Sequence, residues 1–398
     1  MNNADVIVVG AGIAGLAMAA SLAHLDIDIV ILEGGPCPQP LPEQRGRDLT
    51  DWDGRVSALT PASQRILEHI GAWRHIPATR MAPFRHMRVW DSEGTGDIDF
   101  HAAEVDADSL GAIVENRETI AALLQIVAAQ PRVQLHYNSV VAALEQSEDA
   151  VVLTTQAGNA YRGSLVIGAD GARSRVRELG GFKTRQWSYH QHAIVGTIAI
   201  EPGHEDTCWQ AFLGTGPLAL LPLNDSQLCS IVWSLYDDAY ATWADCDDAS
   251  FVRGLNNALG SRGPTVVSCG PRAVFPLHQC HATDYARGSL VLIADAAHSI
   301  HPLAGQGINL GLADVEALAE SLGQNAAAGL PANAAWALKK YQRIRKGDNL
   351  AMMAAMQAFK VGFGSQQPWL RVLRNTALSR VNHSQSLKQW FTRQALGR

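Results

Sequence analysis

Two Gly-rich clusters and three carboxylates stand where apolar runs end, and together they outline a site for an extended nucleotide. The first cluster is Gly10-Ala11-Gly12-Ile13-Ala14-Gly15. A first Gly allows a tight turn, a second lets the backbone approach a pyrophosphate, and a third lets the following helix pack on the strand. The phosphates then meet free N–H groups and the positive end of a helix dipole. Glu33 comes 18 residues after Gly15, at the end of the next apolar run, where a carboxylate accepts from ribose hydroxyls. Glu rather than a nearby Arg speaks against a 2′-phosphate at that position. Asp170 and Arg173 follow a second strand in Gly168-Ala169-Asp170-Gly171-Ala172-Arg173-Ser174. The acid can accept from ribose or flavin-side groups and the Arg can face a pyrophosphate; a turn with a capping Asp is the alternative. Asp295 ends a third strand, where a short acid can hold polyol hydroxyls, and Ala304-Gly305-Gln306-Gly307 opens a helix at Ile308. Free N–H groups at such a helix start stabilise an anion by about 0.3–1 kcal/mol when exposed and up to ~2 kcal/mol when partly buried. The first cluster alone leaves NAD and FAD open. Contacts at both ends of one chain require an extended dinucleotide, and FAD is such a ligand.

The elements that must position these groups are legible in outline. Ala4–Gly10 and Ile27–Leu32 read as strands around the helix-like Leu16–Ala23. Residues 34–54 are rich in Pro and Gly and read as a loop. Thr60-Pro61 starts a helix, with Thr as N-cap, Pro at the first helical position and Gly71 as its stop. Arg117–Ala129 reads as an amphipathic helix; Val133–Leu144, Ala150–Gln156 and Ser164–Ala169 read as strands. From Phe182 to about His281 the texture is β-rich, as expected of an antiparallel sheet forming a second domain. Strand Leu290–Ala294 returns to the nucleotide side, and helices follow over Ile308–Gly323, Ala334–Gly362 and from Trp369 onward.

The 398 residues suffice for two domains, and 47% hydrophobic with 18% charged residues is a globular composition. The apolar runs are too short to span a bilayer. The N-terminus has no basic residue ahead of its apolar run, unlike a signal peptide. Six cysteines form no CxxC pair, which suits a reducing cytoplasm. His278, Cys280 and His281 are close in sequence, yet no metal site is expected from them. A net charge of −6 gives no reason to expect nucleic acid.

With all three motifs in order, the chain resembles the FAD-dependent aromatic hydroxylases of the para-hydroxybenzoate hydroxylase superfamily. Within that group it is most similar to the ubiquinone-biosynthesis ring hydroxylases. The resemblance rests on residues 53–59 (DGRVSAL), 114–117 (VENR), 166–172 (VIGADGA), 274–277 (VFPL) and 301–311 (HPLAGQGINLG). Residues 228–235 and 352–359 look closest to members that hydroxylate beside the phenol oxygen. The implied fold is α/β: a Rossmann-like FAD-binding domain, an antiparallel β-sheet substrate domain and C-terminal helices. The implied boundaries are 1–181 for the FAD-binding domain, with inserted strands on the substrate side; 182–285 for the substrate domain; 286–335 for the returning FAD-binding segment; and 336–398 for the helical region.

By that resemblance Gly10, Gly12, Gly15, Glu33, Arg55, Asn116, Arg117, Asp170 and Asp295 contact FAD, and Gly305, Gln306, Gly307 and Asn309 line its ring end. His301, beside Pro302, is the candidate polar group near the reacting oxygen; a loop His satisfied by backbone is the alternative. The implied reaction is hydroxylation of a polyprenylated phenol, ortho to its oxygen, by O2 through a flavin hydroperoxide. Electrons come from NAD(P)H or a donor protein. An oxidase, reductase or other aromatic hydroxylase on the same fold is the alternative; the W-x-W-x-I-P run of the halogenases is missing. The chain departs from the family at Ala294, where Gly precedes the Asp. A methyl there is tolerated if the torsions are ordinary, and weakens FAD binding if Gly is needed for close approach.

The charge is uneven. The last 50 residues carry seven basic and no acidic side chains, while the first 348 carry 25 basic and 38 acidic. With Met352, Met353, Met356, Phe359, Phe363, Trp369, Leu370, Leu373, Trp390 and Phe391, this tail suits a lipid-like substrate, a multi-enzyme complex, or peripheral contact of a cytoplasmic protein with the inner membrane. The alternative is a helical hairpin packed on the FAD domain with its basic face solvated.

Overall fold

The apolar run before Gly10 forms the strand Asn2–Val9, in which Val6, Ile7 and Val8 are fully buried. A strand apolar on both sides must be covered on both faces. The computed structural model describes residues 1–41, 48–92, 94, 96–148, 150–299 and 307–364, with backbone alone for 355–364. In it Asn2–Val9 lies inside a sheet whose strand order is Ala286–Arg287, Leu290–Leu292, Ala160–Gly168, Asn2–Val9, Ile29–Leu32, Val133–His136. Every neighbour pair in this path is parallel except the first. An antiparallel pair, Val141–Gln146 and Val151–Thr155, extends from Ala160–Gly168. Helices Ile13–Leu22, Asn116–Ala128 and Gly307–Ala327 share its core.

A second sheet runs in the order His298–Ser299, Thr265–Ala282, Thr184–Glu201, Leu228–Tyr236, Gly216–Pro222, Thr207–Leu213, His86–Asp91, Asp97–His101. Side chains alternate along its strands. Ile194, Ile198, Ile231 and Trp233 pack with Phe251 and Leu255 of the helix Asp248–Leu259. Cys208, Leu221 and Leu228 instead pack with Trp52, Phe84 and Ile113. The latter group belongs largely to a small third sheet, Val56–Leu59, Gly111–Glu115, Met81–Phe84, wedged between the two large ones.

Several expectations need correction. The second sheet is not wholly antiparallel, because Thr207–Leu213 pairs in parallel with His86–Asp91. Its strands at 86–101 come from within 1–181, as inserted strands on the substrate side. The β-rich stretch after residue 182 also carries two helices, Asp237–Ala244 and Asp248–Leu259, the second capped by Asp247, whose side chain accepts from Ser250 N–H. Val133–Leu144 is broken into two strands, with Asn138 between them at φ 54. The helix Pro61–Ile70 matches its sequence signals: Thr60 accepts from Ser63 N–H, and Gly71 ends it at φ 87.

Candidate functional site

The three sequence motifs emerge from one edge of the first sheet. Leu32, Val9, Gly168 and Leu292 are register partners across four adjacent parallel strands. Glu33, Gly10, Asp170 and Asp295 therefore leave the same row, at the carboxyl ends where open α/β sheets bind ligands. Gly10 has φ +104, and a Cβ there would stand 2.5 Å from the Ala169 carbonyl oxygen. A Cβ on Gly15 would stand 1.9 Å from the Gly10 oxygen. These two glycines are demanded by the protein itself. Gly12 is different: it is exposed, and its Cβ would meet nothing within 4 Å. The space in front of it is open. Among the described residues the helix Ile13–Leu22 has no side-chain cap and no acid in its first turn, so its first N–H groups face that space.

Glu33 is already engaged. Its Oε2 accepts from Ala11 N–H at 2.7 Å and its Oε1 from Gly35 N–H at 2.7 Å. The carboxylate pins the Gly-rich turn, and each oxygen retains a lone pair for a ribose hydroxyl. Asp170 caps the helix Arg175–Leu179 through Oδ2, which accepts from Arg175 N–H at 2.6 Å and Val176 N–H at 3.1 Å. Its Oδ1 is buried with no hydrogen-bond partner among the described residues. A cap and an orphaned buried acceptor thus share one side chain. Arg173 is exposed. The Arg that joins motifs is Arg177: it is buried and donates to the Ala172 and Ala296 carbonyls at 2.6 and 2.9 Å.

Asp295 is open to solvent, yet protein surrounds it closely enough that desolvation pushes its carboxyl up, against the opposing pull of His298 and Arg55. Arg55 reaches the same region and lies over the Phe275 ring, 5.5 Å from its centroid. Ala294 does not have ordinary torsions: its φ is 51, in the left-handed region that disfavours a Cβ.

Three of the expected contact residues also make bonds within the protein. Arg117 pairs with Glu115 at 2.7 Å and donates to the Asp51 carbonyl. Burial raises the Glu115 carboxyl, opposed by the Asp53 N–H, Arg117 and Arg80. The Asn116 side chain accepts from Ser57 Oγ at 2.6 Å. Asn309 accepts from Thr60 N–H and Ser63 Oγ and donates to the Ala58 carbonyl, so its amide braces the helix Gly307–Ala327 against the third sheet. That helix starts at Gly307 and has no acid in its first turn. His301, Pro302, Gly305 and Gln306 lie outside the described residues, as does the chain beyond 364.

Sequence reasoning missed Asp314, His298 and Arg345. Asp314 is fully buried; His298 Nε2 approaches its Oδ2 at 2.5 Å and Arg345 Nε its Oδ1 at 2.7 Å. Burial alone would raise this carboxyl, but His298 and Arg345 outweigh it and hold it below the usual carboxylate value. The signal was present: Asp314 falls on the stripe Gly311, Leu312, Val315, Leu318, where an amphipathic helix places core residues.

The row of strand ends, the open space at Gly12, the orphaned Asp170 oxygen and the uncapped start of the helix Ile13–Leu22 fit an extended dinucleotide. A family model described as FAD binding domain matches residues 3–354. The chain belongs to that family. Its cofactor is FAD, and it is an enzyme of the FAD-dependent monooxygenase class. It is 35% identical to the 3-demethoxyubiquinol 3-hydroxylase of Escherichia coli, over 99% of this chain and 98% of that protein. It is 33% identical to the ubiquinone biosynthesis monooxygenase COQ6 of Homo sapiens, over 97% of this chain and 91% of the other. The ubiquinone hydroxylase UbiL of Rhodospirillum rubrum is 34% identical over 99% of this chain and 90% of its own. Among solved structures, the p-nitrophenol 4-monooxygenase of Pseudomonas putida superposes with a TM-score of 0.79 at 19% identity, covering 100% of this chain and 99% of that one. That likeness shows the fold.

Proposed function

We propose that this chain hydroxylates the phenolic ring of a polyprenylated ubiquinone precursor, ortho to the phenol oxygen. The observation that carries this reading is end-to-end similarity to relatives named for ubiquinone ring chemistry, in which at least 97% of this chain is matched. FAD, once bound and reduced, supplies an electrophilic oxygen atom from O2. The second oxygen leaves as water, with two electrons drawn from NAD(P)H or a donor protein.

The chain's own part is binding, orientation and dryness. Gly10, Gly12 and Gly15 admit the pyrophosphate to the N-terminus of the helix Ile13–Leu22, with Glu33 at the adenosine ribose and Asp295 at the ribityl hydroxyls. The Gly307 helix start would lie toward the pyrimidine edge of the ring, where the positive end of the helix would stabilise negative charge. Tyr189, Ala193, Val232 and Leu277 form an apolar cluster on the second sheet, and Phe275 is the register partner of Ala193. Phe275 itself is exposed beside Arg55, and its ring is suited to hold an aromatic ring against the cofactor. Among the described residues no helix is long and apolar enough to cross a membrane. A prenylated substrate would then be met at a surface, which keeps peripheral membrane contact or a biosynthetic complex within the proposal.

The test is mass spectrometry of the quinone precursors that accumulate when this protein is removed from its cell. The expected species is a prenylated phenol lacking one ring hydroxyl. An unchanged quinone pool overturns the substrate assignment.

A further inference from the structure

Asp314 touches none of the groups assigned to the cofactor, yet both its oxygens are fully used. Oδ2 accepts from Ala294 N–H at 2.9 Å and from His298 Nε2 at 2.5 Å. Oδ1 accepts from Arg345 Nε at 2.7 Å and Asn349 Nδ2 at 3.3 Å. One oxygen thus holds the segment around Asp295 at both sides, and the other fastens to the helix Ala335–Gly364. Arg345 is fixed in turn by Asp348 and Asn349, and Asn349 donates to Tyr285 Oη. The anchor is therefore rigid and dry.

What it holds is strained. Ala294 sits at φ 51, a conformation that Gly adopts freely and a residue with a Cβ does not. Its methyl packs against Gly311, where an added Cβ would stand 2.8 Å away. Released from its N–H acceptor, Ala294 gains by returning to negative φ, and that rotation swings Asp295 off its present line. Strain at a binding residue persists only where surrounding structure overdetermines it, and Asp314 supplies that constraint.

We propose that Asp314 is a positioning residue for FAD: it locks Ala294 in the left-handed conformation that sets the direction of the exposed Asp295 carboxylate. The proposal rests on the assignment of Asp295 to the FAD site. It also explains how a chain with Ala at this turn keeps the geometry that Gly would give unaided.

The test is FAD titration of flavin-free protein, followed by quenching of flavin fluorescence, for the parent, Asp314→Asn, Ala294→Gly and the double variant. Asn turns an NH2 group toward either Ala294 and His298 or Arg345, so one pair of donors loses its acceptor. Asp314→Asn is expected to bind FAD at least ~10-fold more weakly, and Ala294→Gly within about 2-fold of the parent. The double variant is expected to return to within about 3-fold of the parent, since Gly needs no clamp to reach positive φ. A purely structural role for Asp314 would leave the double variant as weak as Asp314→Asn, and that result overturns the proposal. So does Asp314→Asn binding FAD like the parent. Should Asp314→Asn fail to fold, Ala294→Gly alone decides: its flavin-free form should unfold at a higher temperature than the parent, and a lower or equal midpoint overturns the strain on which the clamp acts. Asp295→Ala run alongside separates the two assignments, because parental FAD affinity in that variant removes Asp295 from the site whatever the clamp does.

Discussion

The three glycines of the first motif should separate cleanly into two that serve the fold and one that serves the ligand. Gly12 has φ −74 and ψ −178, which alanine adopts without strain, and its added Cβ would touch nothing. Gly12→Ala should therefore leave the flavin-free protein within about 1 kcal/mol of the parent, with any change toward greater stability. Its methyl would occupy the space reserved for the pyrophosphate, so FAD affinity should fall by ~100-fold or more, about 2.7 kcal/mol. Gly10→Ala must hold a Cβ at φ +104 and 2.5 Å from a backbone oxygen. The torsion costs ~1–3 kcal/mol and the overlap another ~1–3 kcal/mol. Gly15→Ala brings a Cβ to 1.9 Å from the Gly10 oxygen, a backbone-on-backbone clash relieved only by separating helix from strand. Urea unfolding of flavin-stripped proteins gives the stabilities, and FAD titration gives the affinities. The reasoning is refuted if Gly12→Ala destabilises the flavin-free protein as much as Gly10→Ala does, or if it binds FAD like the parent.

Glu33→Ala and Asp295→Ala should differ in the same two assays. Glu33 accepts two backbone N–H bonds, so its loss should cost the flavin-free protein ~1.5–3 kcal/mol. The Asp295 carboxyl is raised by its surroundings, so its removal should leave the flavin-free protein equally or more stable while weakening FAD more than Glu33→Ala does; the reverse order of affinities would contradict the assignment. Arg177→Met, which removes the donor joining Ala172 to Ala296, should weaken FAD binding although Arg177 need not touch the ligand; parental affinity would refute that link. Stability should also fall on mild acidification. His281 is buried beside Tyr285 and pushed down to about 4, first by burial and then by His298, Lys346 and Arg185. Between that value and the ordinary 6.5 the unfolded chain binds a proton that the folded chain refuses, so stability declines as pH drops through this window, by at most ~3 kcal/mol. His281→Gln should show a smaller decline between neutral pH and about pH 5; an equal one would place the effect elsewhere.

Much of this site was legible because its parts are local. A Gly that needs positive φ, an Asp at a strand end and a Thr-Pro helix start declare themselves within a few residues. That is why Gly10, Asp170, Asp295 and Thr60 lie where their neighbours in sequence require. The rest depends on partners distant in sequence. Asn309 also meets Thr60 and Arg117 also meets Asp51, pairings no local pattern announces. The left-handed Ala294 could not be read from a residue that prefers negative φ; it is imposed by Asp314, 20 residues on. The helices between Asp237 and Leu259 were lost inside a β-rich stretch, although Asp247 and Ser250 form a recognisable N-cap. The strands at 86–101 are short, so their alternation spans only a few residues.

The most direct test of the central claim is oxygen labelling. Flavin-loaded protein, a chemical or enzymatic reductant and a prenylated phenol are incubated under heavy-isotope O2, and the ring product is analysed by mass spectrometry. The account predicts one labelled oxygen atom on the ring carbon beside the phenol oxygen, and no labelled product in a Gly12→Ala sample that is folded but flavin-free. Reductant consumed with all label in peroxide and none on the ring, under conditions where FAD is bound, would contradict it.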